Sequence, residues 1–331
     1  MSVTMRDVAR RADVSIKTVS RVVNNLGEVS DETRQRVLAA IKELGYRPSK
    51  VARALVTQRT DTIGLVLGDI TNPFFSELAC GVLNAAQAKG YDVFLCNSGS
   101  RVEQEIRALY SLADHNVDGV IIFPSWRNIE RLKEFAERYR PLVVINRIVD
   151  EHPRIGRILT DNYGGAKQAI DFLASRGHTA IGMLAGYSAS PKIIRRVRGF
   201  RETLAGHGLP VVDEWIVPCI PIVKQGYRAT RRLLTRNPEV TAIFAYNDLL
   251  AVGAIQACEE MGRRVPDDCA IVGFDDIQLA SLVRPALTTI HLDKYELGRQ
   301  AVTRLVEMLE QPATIFPPIH LDVEMVIRES A

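Results

Sequence analysis

The sequence predicts an all-α helix-turn-helix head over residues 1–46 and, beyond a short linker, an α/β two-lobe body with parallel sheets. Three observations carry this. Short helical patterns with cationic faces crowd the first 45 residues. From residue 62, apolar runs of strand length alternate with helical patterns, and that alternation restarts after Asp161. Charge is also uneven: residues 1–60 contain 12 Lys and Arg against 6 Asp and Glu, and the remainder 30 against 33. The head therefore carries +6 and the body −3, which points to a polyanionic partner for the head alone.

Thr4, followed three residues later by Asp7, forms a capping-box pattern and opens a first helix predicted to about Ala12. Asp13 sits at the reversal, where a left-handed residue is needed and Asp adopts that conformation at modest cost. Ser15 caps a second helix, Ile16 to about Asn24. Val8 and Ala9 on one helix and Val19, Val22 and Val23 on the other are too few for a core of their own. A third helix supplies the missing side: Ser30 caps it, Val37, Ala40, Ile41 and Leu44 recur at helical spacing, and Gly45 ends it. The second helix keeps a polar side with Lys17, Thr18, Ser20, Arg21 and Asn24 that this core does not need. Such a face fits the major groove of B-DNA, where Arg and Lys pair with guanine edges and Asn with adenine. An unrelated helical hairpin has the same pattern, so the residues alone leave both readings open.

Residues 45–57, "GYRPSKVARALVT", place Pro48 and a capping Ser49 before Val51, Ala52 and Leu55 on one side of a short helix. Eight or so residues make a marginal helix in water. It is expected to fold only when paired with a second copy, through Val51 and Ala52, while Leu55 acts as an apolar wedge between minor-groove base steps.

In the body, "TIGLVLGD", "YDVFLCNS", "VDGVIIFP" and "PLVVINR" read as strands, with helices at Phe75 to Lys89 and Glu103 to His115 between them. After Asp161 come a helix from Tyr163 and the strands "TAIGMLAG", "TAIFAYND" and "CAIVGFDD". A late helix, Tyr295 to Glu310, and a final strand "IHLDVEMVIRE" are expected to cross back between the lobes. Ligands of open parallel sheets bind beyond the carboxyl ends of the strands, and Asp69, Asn97, Ser98, Asn146, Arg147, Asp161, Asn247, Asp248, Asp275 and Asp276 gather there. Converging amides and carboxylates suit a polyhydroxylated ligand, although any one of these residues could simply cap the helix that follows.

No G-x-G-x-x-G follows the first strand, and neither a P-loop nor a G-x-S-x-G elbow is present, so an enzyme is the poorest of the candidate readings and no catalytic residue is assigned. Six scattered histidines and five cysteines without C-x-x-C spacing indicate neither a metal site nor a disulfide framework; no cofactor is expected, and the thiols are expected to be buried and reduced. No apolar run reaches the ~18 residues of a membrane helix and no secretory segment opens the chain, so a cytoplasmic protein without a membrane partner is expected.

"TMRDVARRADVSIKTVSRVVNN" and "VSDETRQRVLAAIKELGYRPSKVARAL" resemble the head and hinge of the lac/gal-repressor (LacI/GalR) family of bacterial transcription regulators. The resemblance implies base reading by Ile16, Lys17 and Arg21, and DNA contacts, mostly to phosphates, by Thr4, Ser15, Thr18, Ser20, Asn24, Ser30 and Thr33. It also implies a hinge contact at Ala52 and an intercalating Leu55. Asp13 departs from the commoner glycine, which affects turn strain more than function. The body matches the same family, whose fold is periplasmic-binding-protein-like, through "DITNPFFSEL", "DNYGGA", "RRVRGF", "NDLLAVGAIQA", "VPDDCAIVGFDD" and "RPALTTI". Effector contacts are thereby implied at Arg196, Asn247 and Asp275, and more weakly at Phe74, Asn146, Asp161 and Lys192. Pro221 stands where many members place an aromatic ring, and Leu292 where a Gln is common, so sugar stacking falls to Phe74, Phe75 or Trp126, or the ligand is not a ring sugar. Lys192 near Arg196 suits an acidic group such as a sugar acid or phosphate, or is simply solvated.

The expected organisation is a DNA-binding domain at 1–46, a hinge helix and linker at 47–61, and an effector-binding and dimerisation body at 62–331. One lobe is expected to take about 62–161 plus 292–318, and the other about 162–291 plus 319–331. The expected function is sequence-specific repression on a palindromic double-stranded operator, controlled by a small-molecule effector. A homodimer is expected rather than a tail-linked tetramer, since no leucine heptads follow the last strand. The rival is a small-molecule binding protein or receptor without DNA-dependent function.

Overall fold

The computed structural model describes residues 3–24, 27, 29–46, 59–124, 129–187 and 190–331. It divides into two compact units, Met1–Thr62 and Ile63–Ala331.

The first unit holds α1 (Met5–Ala12), α2 (Ile16–Val23) and α3 (Asp31–Leu44). Eight-residue helices are marginal in isolation, and these are held by a shared core of Val8, Val19 and Val37, all fully buried, with Ala9, Ala12, Val22, Ala40 and Tyr46 around them. Tyr46 is a core residue that the apolar spacing alone does not single out. Asp13 is left-handed, with φ 50°, as the tight reversal requires. The turn is clamped from α3, where the Arg36 guanidinium donates to the carbonyls of Ala12 at 2.7 Å and Asp13 at 2.9 Å. The short helix expected over Val51, Ala52 and Leu55 lies outside the described residues.

In the second unit, two six-stranded sheets are covered by helices. The strands are β1 (Thr62–Leu67), β2 (Asp92–Asn97), β3 (Gly119–Ile122), β4 (Leu142–Ile145), β5 (Ile155–Thr160), β6 (Ile181–Gly186), β7 (Ile216–Cys219), β8 (Ala242–Ala245), β9 (Ala270–Asp275), β10 (Thr288–His291), β11 (Ile319–Leu321) and β12 (Glu324–Val326). The first sheet runs β11-β5-β4-β3-β1-β2 and the second β12-β10-β9-β8-β6-β7. β1, β3, β4, β5 and β11 pair in parallel, as do β7, β6, β8, β9 and β10, while β12 is antiparallel to β10. The helices that position the site are α4 (Pro73–Ala88), α7 (Asn162–Ser175), α8 (Pro191–Gly206), α10 (Asp248–Glu260) and α12 (Lys294–Glu310). α5 (Val102–Asp114), α6 (Ile129–Arg138), α9 (Val223–Arg236) and α11 (Gln278–Leu282) complete the covering layers.

The chain crosses between sheets three times. It leaves the first sheet after Thr160, and returns between His291 and α12, which packs on α4, β3, β4 and β5. The last crossing corrects an expectation. "IHLDVEMVIRE" is two strands rather than one: Ile319–Leu321 pairs with β5 in the first sheet, and the chain changes sheets at Asp322 and Val323 to pair Glu324–Val326 with β10. Alternation of apolar residues continues across that bend, so it left no trace in the pattern. β5, β7 and β10 are likewise strands that the sequence pattern does not separate from the loops around them. A second correction concerns the thiols: Cys219, Cys258 and Cys269 are buried, but Cys80 is exposed on α4.

α12 lies on α4 with almost no separation. A Cβ at Gly298 would overlap the carbonyl oxygen of Leu78, and one at Gly81 that of Tyr295, so only glycine allows the two backbones this close.

Candidate functional site

The head presents an exposed polar face on α2. Val19 and Val22 face the core, which leaves Ile16, Lys17 and Arg21 exposed on the other side, with Thr18, Ser20 and Asn24 half-buried at its edges. Ile16 is 45% exposed. The hydroxyl residues mostly order helix starts. Ser15 accepts from the Thr18 amide at 3.0 Å, Ser30 from the Thr33 amide at 3.4 Å, and the Asp7 carboxylate accepts from both the Thr4 amide and hydroxyl, at 3.0 and 2.7 Å. That pairing holds the Asp7 carboxyl below its ordinary value, through the Thr4 hydroxyl first and the Thr4 amide second. Ala52 and Leu55 lie outside the described residues.

In the body a cavity of about 560 Å³ opens between the two sheets, beyond the carboxyl ends of their strands. Small-molecule sites occupy about 300–1,000 Å³. Phe74, Phe123 and Asn146 reach it from the first lobe; Lys192, Arg196, Tyr246, Asn247 and Asp275 reach it from the second. Phe74, Phe75 and Phe123 form an edge-to-face cluster with centroids 5.2–5.7 Å apart.

Arg196 organises the floor. It is buried on α8, donates to Asn162 Oδ1 at 2.8 Å and to the Tyr246 carbonyl, and pairs with Asp275 at 3.4 Å. Its guanidinium lies 3.3 Å from the Phe274 ring centroid and 4.7 Å from that of Tyr246. Burial pushes the Asp275 carboxyl up, opposed by the charges of Arg196, Lys192 and Lys294 in that order. Asp248, behind it, is pushed well above the carboxylate range, by burial first and then by the Asp275 charge. Its two oxygens accept from the Thr289 hydroxyl at 2.5 Å and the Ile277 amide at 2.7 Å. Asn247 caps α10 by accepting from the Leu250 amide, and Asn146, with φ 56°, accepts from the Thr160 amide and hydroxyl at 2.9 and 2.8 Å.

Six of the seven expected effector residues, Phe74, Asn146, Lys192, Arg196, Asn247 and Asp275, therefore line one cavity. Asp161 does not: it is the N-cap of α7, its carboxylate accepting from the Gly164 amide at 2.8 Å, the capping role open to any Asp at a strand end. Phe75, Pro221 and Leu292 also line the cavity, and Trp126 lies outside the described residues. Sequence reasoning missed Phe123, Tyr187, Ser190 and Tyr246. Tyr246 was within reach, because it immediately precedes the capping Asn247 at the end of β8; Ser190 offers no such signal. Among the described residues no three metal-ligating side chains cluster, and no helix is long and apolar enough to cross a membrane.

With this geometry in place, comparison with known proteins decides the family. Residues 4–49 match the model for bacterial regulatory proteins of the lacI family, and residues 60–322 that for periplasmic binding proteins and the sugar-binding domain of the LacI family. The chain belongs to the LacI family. It is a DNA-binding transcriptional regulator with a ligand-binding body, not an enzyme. It is 38% identical to a ribose operon repressor from Halalkalibacterium halodurans, over 99% of this chain and 96% of that one. A lac repressor dimer solved on its operator with an anti-inducer superposes with a TM-score of 0.90 at 29% identity, covering 100% of this chain and 99% of that one. A LacI-family regulator from Enterococcus faecium with bound ribose gives 0.74 at 31% identity, covering 81% and 98%.

Proposed function

We propose that this chain represses transcription as a cytoplasmic homodimer on a palindromic operator, under the control of a small polyhydroxylated metabolite held between the two lobes. The observation that carries the reading is the cavity itself: aromatic faces and a charged, hydrogen-bonded floor from both lobes converge on one space in a chain that also bears a recognition helix. Ile16, Lys17 and Arg21 read bases, and Thr4, Ser15, Thr18, Ser20, Asn24, Ser30 and Thr33 hold mostly phosphates. Ala52 and Leu55 work at the minor groove. In the cleft, an aromatic face at Phe74 packs a ring, and Asn146, Arg196, Asn247 and Asp275 bond its hydroxyls. The ribose repressor's name and the ribose-bound structure support a ligand of monosaccharide size.

Because the ligand touches both lobes, it favours the lobe arrangement that it binds better, with a coupling of ~1–3 kcal/mol, or about 5- to 150-fold in operator affinity. The test is selection of genomic fragments by the full chain, followed by footprinting and fluorescence anisotropy with and without pentoses, hexoses and nucleosides. A protected palindrome whose affinity responds to one ligand supports the reading. Failure to shift any duplex at low ionic strength overturns it.

A further inference from the structure

The first turn of α8 begins with a polar N-cap residue whose side chain does not cap the helix. Asp161, Asn247 and Asp293 cap their helices with side-chain oxygens that accept from backbone amides. Ser190 occupies the same position on α8, yet its hydroxyl accepts from no amide. It is 3% exposed, and its oxygen has no hydrogen-bond partner among the described residues. A buried hydroxyl left unpartnered is costly, so a structure that keeps one there implies a partner that arrives with something else. Ser190 lines the inter-lobe cavity, as do Lys192 and Ile193 in the same turn.

Lys192 is the second observation. Its ammonium stands 4.5 Å from the Phe123 ring centroid and 5.9 Å from those of Phe75 and Tyr246. No carboxylate lies within ion-pair distance of it among the described residues, whereas Arg196, one turn on, is paired with Asp275. The cavity's other carboxylate, Asp69, is turned to Thr71, accepting from its amide at 3.0 Å and its hydroxyl at 2.7 Å. No acidic residue stands in the first turn of this 16-residue helix. Among the described residues, the positive end of the helix dipole and the amides of Lys192 and Ile193 thus have no carboxylate in contact, beside a cation that acts on Asp275 only from beyond ion-pair distance and an unsatisfied hydroxyl.

We propose that this corner is an anion subsite, in which the Ser190 hydroxyl, the Lys192 ammonium and the first-turn amides of α8 receive a phosphate or carboxylate group carried by the cleft ligand. The proposal rests on the effector reading of the cavity and narrows it to an acidic metabolite, with its hydroxyls toward Asn146 and Asp275 and its charge toward α8. Helix N-termini accept such groups by backbone N–H and dipole together.

The test uses the full chain without DNA. Inorganic phosphate and acetate are titrated by calorimetry and thermal shift, with sodium chloride at matched ionic strength as the reference, so that the two arms separate a phosphate from a carboxylate subsite. Saturable binding of one of them, weakened about tenfold to a hundredfold in Lys192→Met and about threefold to tenfold in Ser190→Ala, is expected. Lys192→Arg, which keeps the charge, should retain it. Neither anion stabilising the protein beyond chloride overturns the proposal, as does binding that survives Lys192→Met unchanged. Operator binding is measured separately. Loss of every ligand effect on DNA with the anion site intact refutes the regulatory reading and leaves the subsite standing; the converse pattern refutes only the subsite.

Discussion

Removal of the Arg196 guanidinium is the sharpest perturbation of the cleft. In Arg196→Met the stem remains between the Phe274 and Tyr246 rings, but three acceptors lose their donor: Asn162 Oδ1, the Tyr246 carbonyl and the Asp275 carboxylate. Asp275 is buried, so its charge is left without its nearest partner in a poorly solvated place. Breaking a buried pair from one side costs about 3–5 kcal/mol. For a unit the size of the body, each kcal/mol lowers the melting temperature by about 2–4 °C, so a fall of about 6–20 °C is expected by circular dichroism or calorimetry. Asp275→Asn removes the charge that Arg196 compensates, so the double variant should be more stable than the sum of the single losses predicts, by about 0.5–3 kcal/mol. A loss under about 1 kcal/mol in Arg196→Met, or strict additivity in the cycle, would refute the assignment of Arg196 as the charge-compensating centre of the floor.

The buried carboxyls set a pH dependence of unusual sign. Asp248 and Asp275 have raised folded-state values, so the folded body binds their protons more readily than the unfolded chain does; stability falls as pH rises from about 4 through the raised values, and Asp248→Asn should flatten that slope in pH-dependent melts. Asp268 acts oppositely: Arg264 holds its carboxyl at about 2, so its contribution is present above about 4 and lost as pH falls through about 2. Arg21→Ala should weaken operator binding by ~1–3 kcal/mol and relax base preference at one position; equal losses on operator and random DNA in anisotropy titrations would contradict its role in base reading. Gly298→Ala should lower the melting temperature of the body through a cost of about 1–3 kcal/mol, because its Cβ would meet the α4 backbone rather than a side chain that can turn aside.

Much of this was legible in the chain because periodicity and caps act locally. The valines of α1 and α2, Ser15 and Ser30 at helix starts, and the strands ending at Leu67, Ile145, Ala245 and Asp275 are all decided by residues within one or two turns of one another. The cavity's polar rim follows from the strand-end rule once the strands are placed. What was not legible depends on distant partners. Asp161 and Asn247 look alike at strand ends and both cap the helix that follows, yet only Asn247 lines the cavity. Lys294 reads as an ordinary charged residue in a first turn, but it is 1% exposed, and nothing in "DKYELG" announces that.

Lys294 bears on how a ligand can move the lobes. A cation at the start of α12 is opposed by the helix dipole, and this one is held there by the carbonyls of Asp275, Asp276 and Leu292, at 2.7, 2.9 and 3.1 Å, with Glu77 of α4 at 3.5 Å. α4 and α12 pack together on the first lobe, whereas Asp275 ends β9 of the second and Asp276 follows it. Both aspartates have positive φ, 106° and 50°, a strain of about 1–3 kcal/mol each that persists only where neighbours over-determine it. Asp276 is further tied to Arg328 at 2.7 Å and His291 at 2.9 Å. The segment that contributes Asp275 to the cavity is therefore strained and pinned to the opposite lobe by one ammonium. A coupling of ~1–3 kcal/mol, the size proposed for ligand control, is no larger than the strain of one such residue.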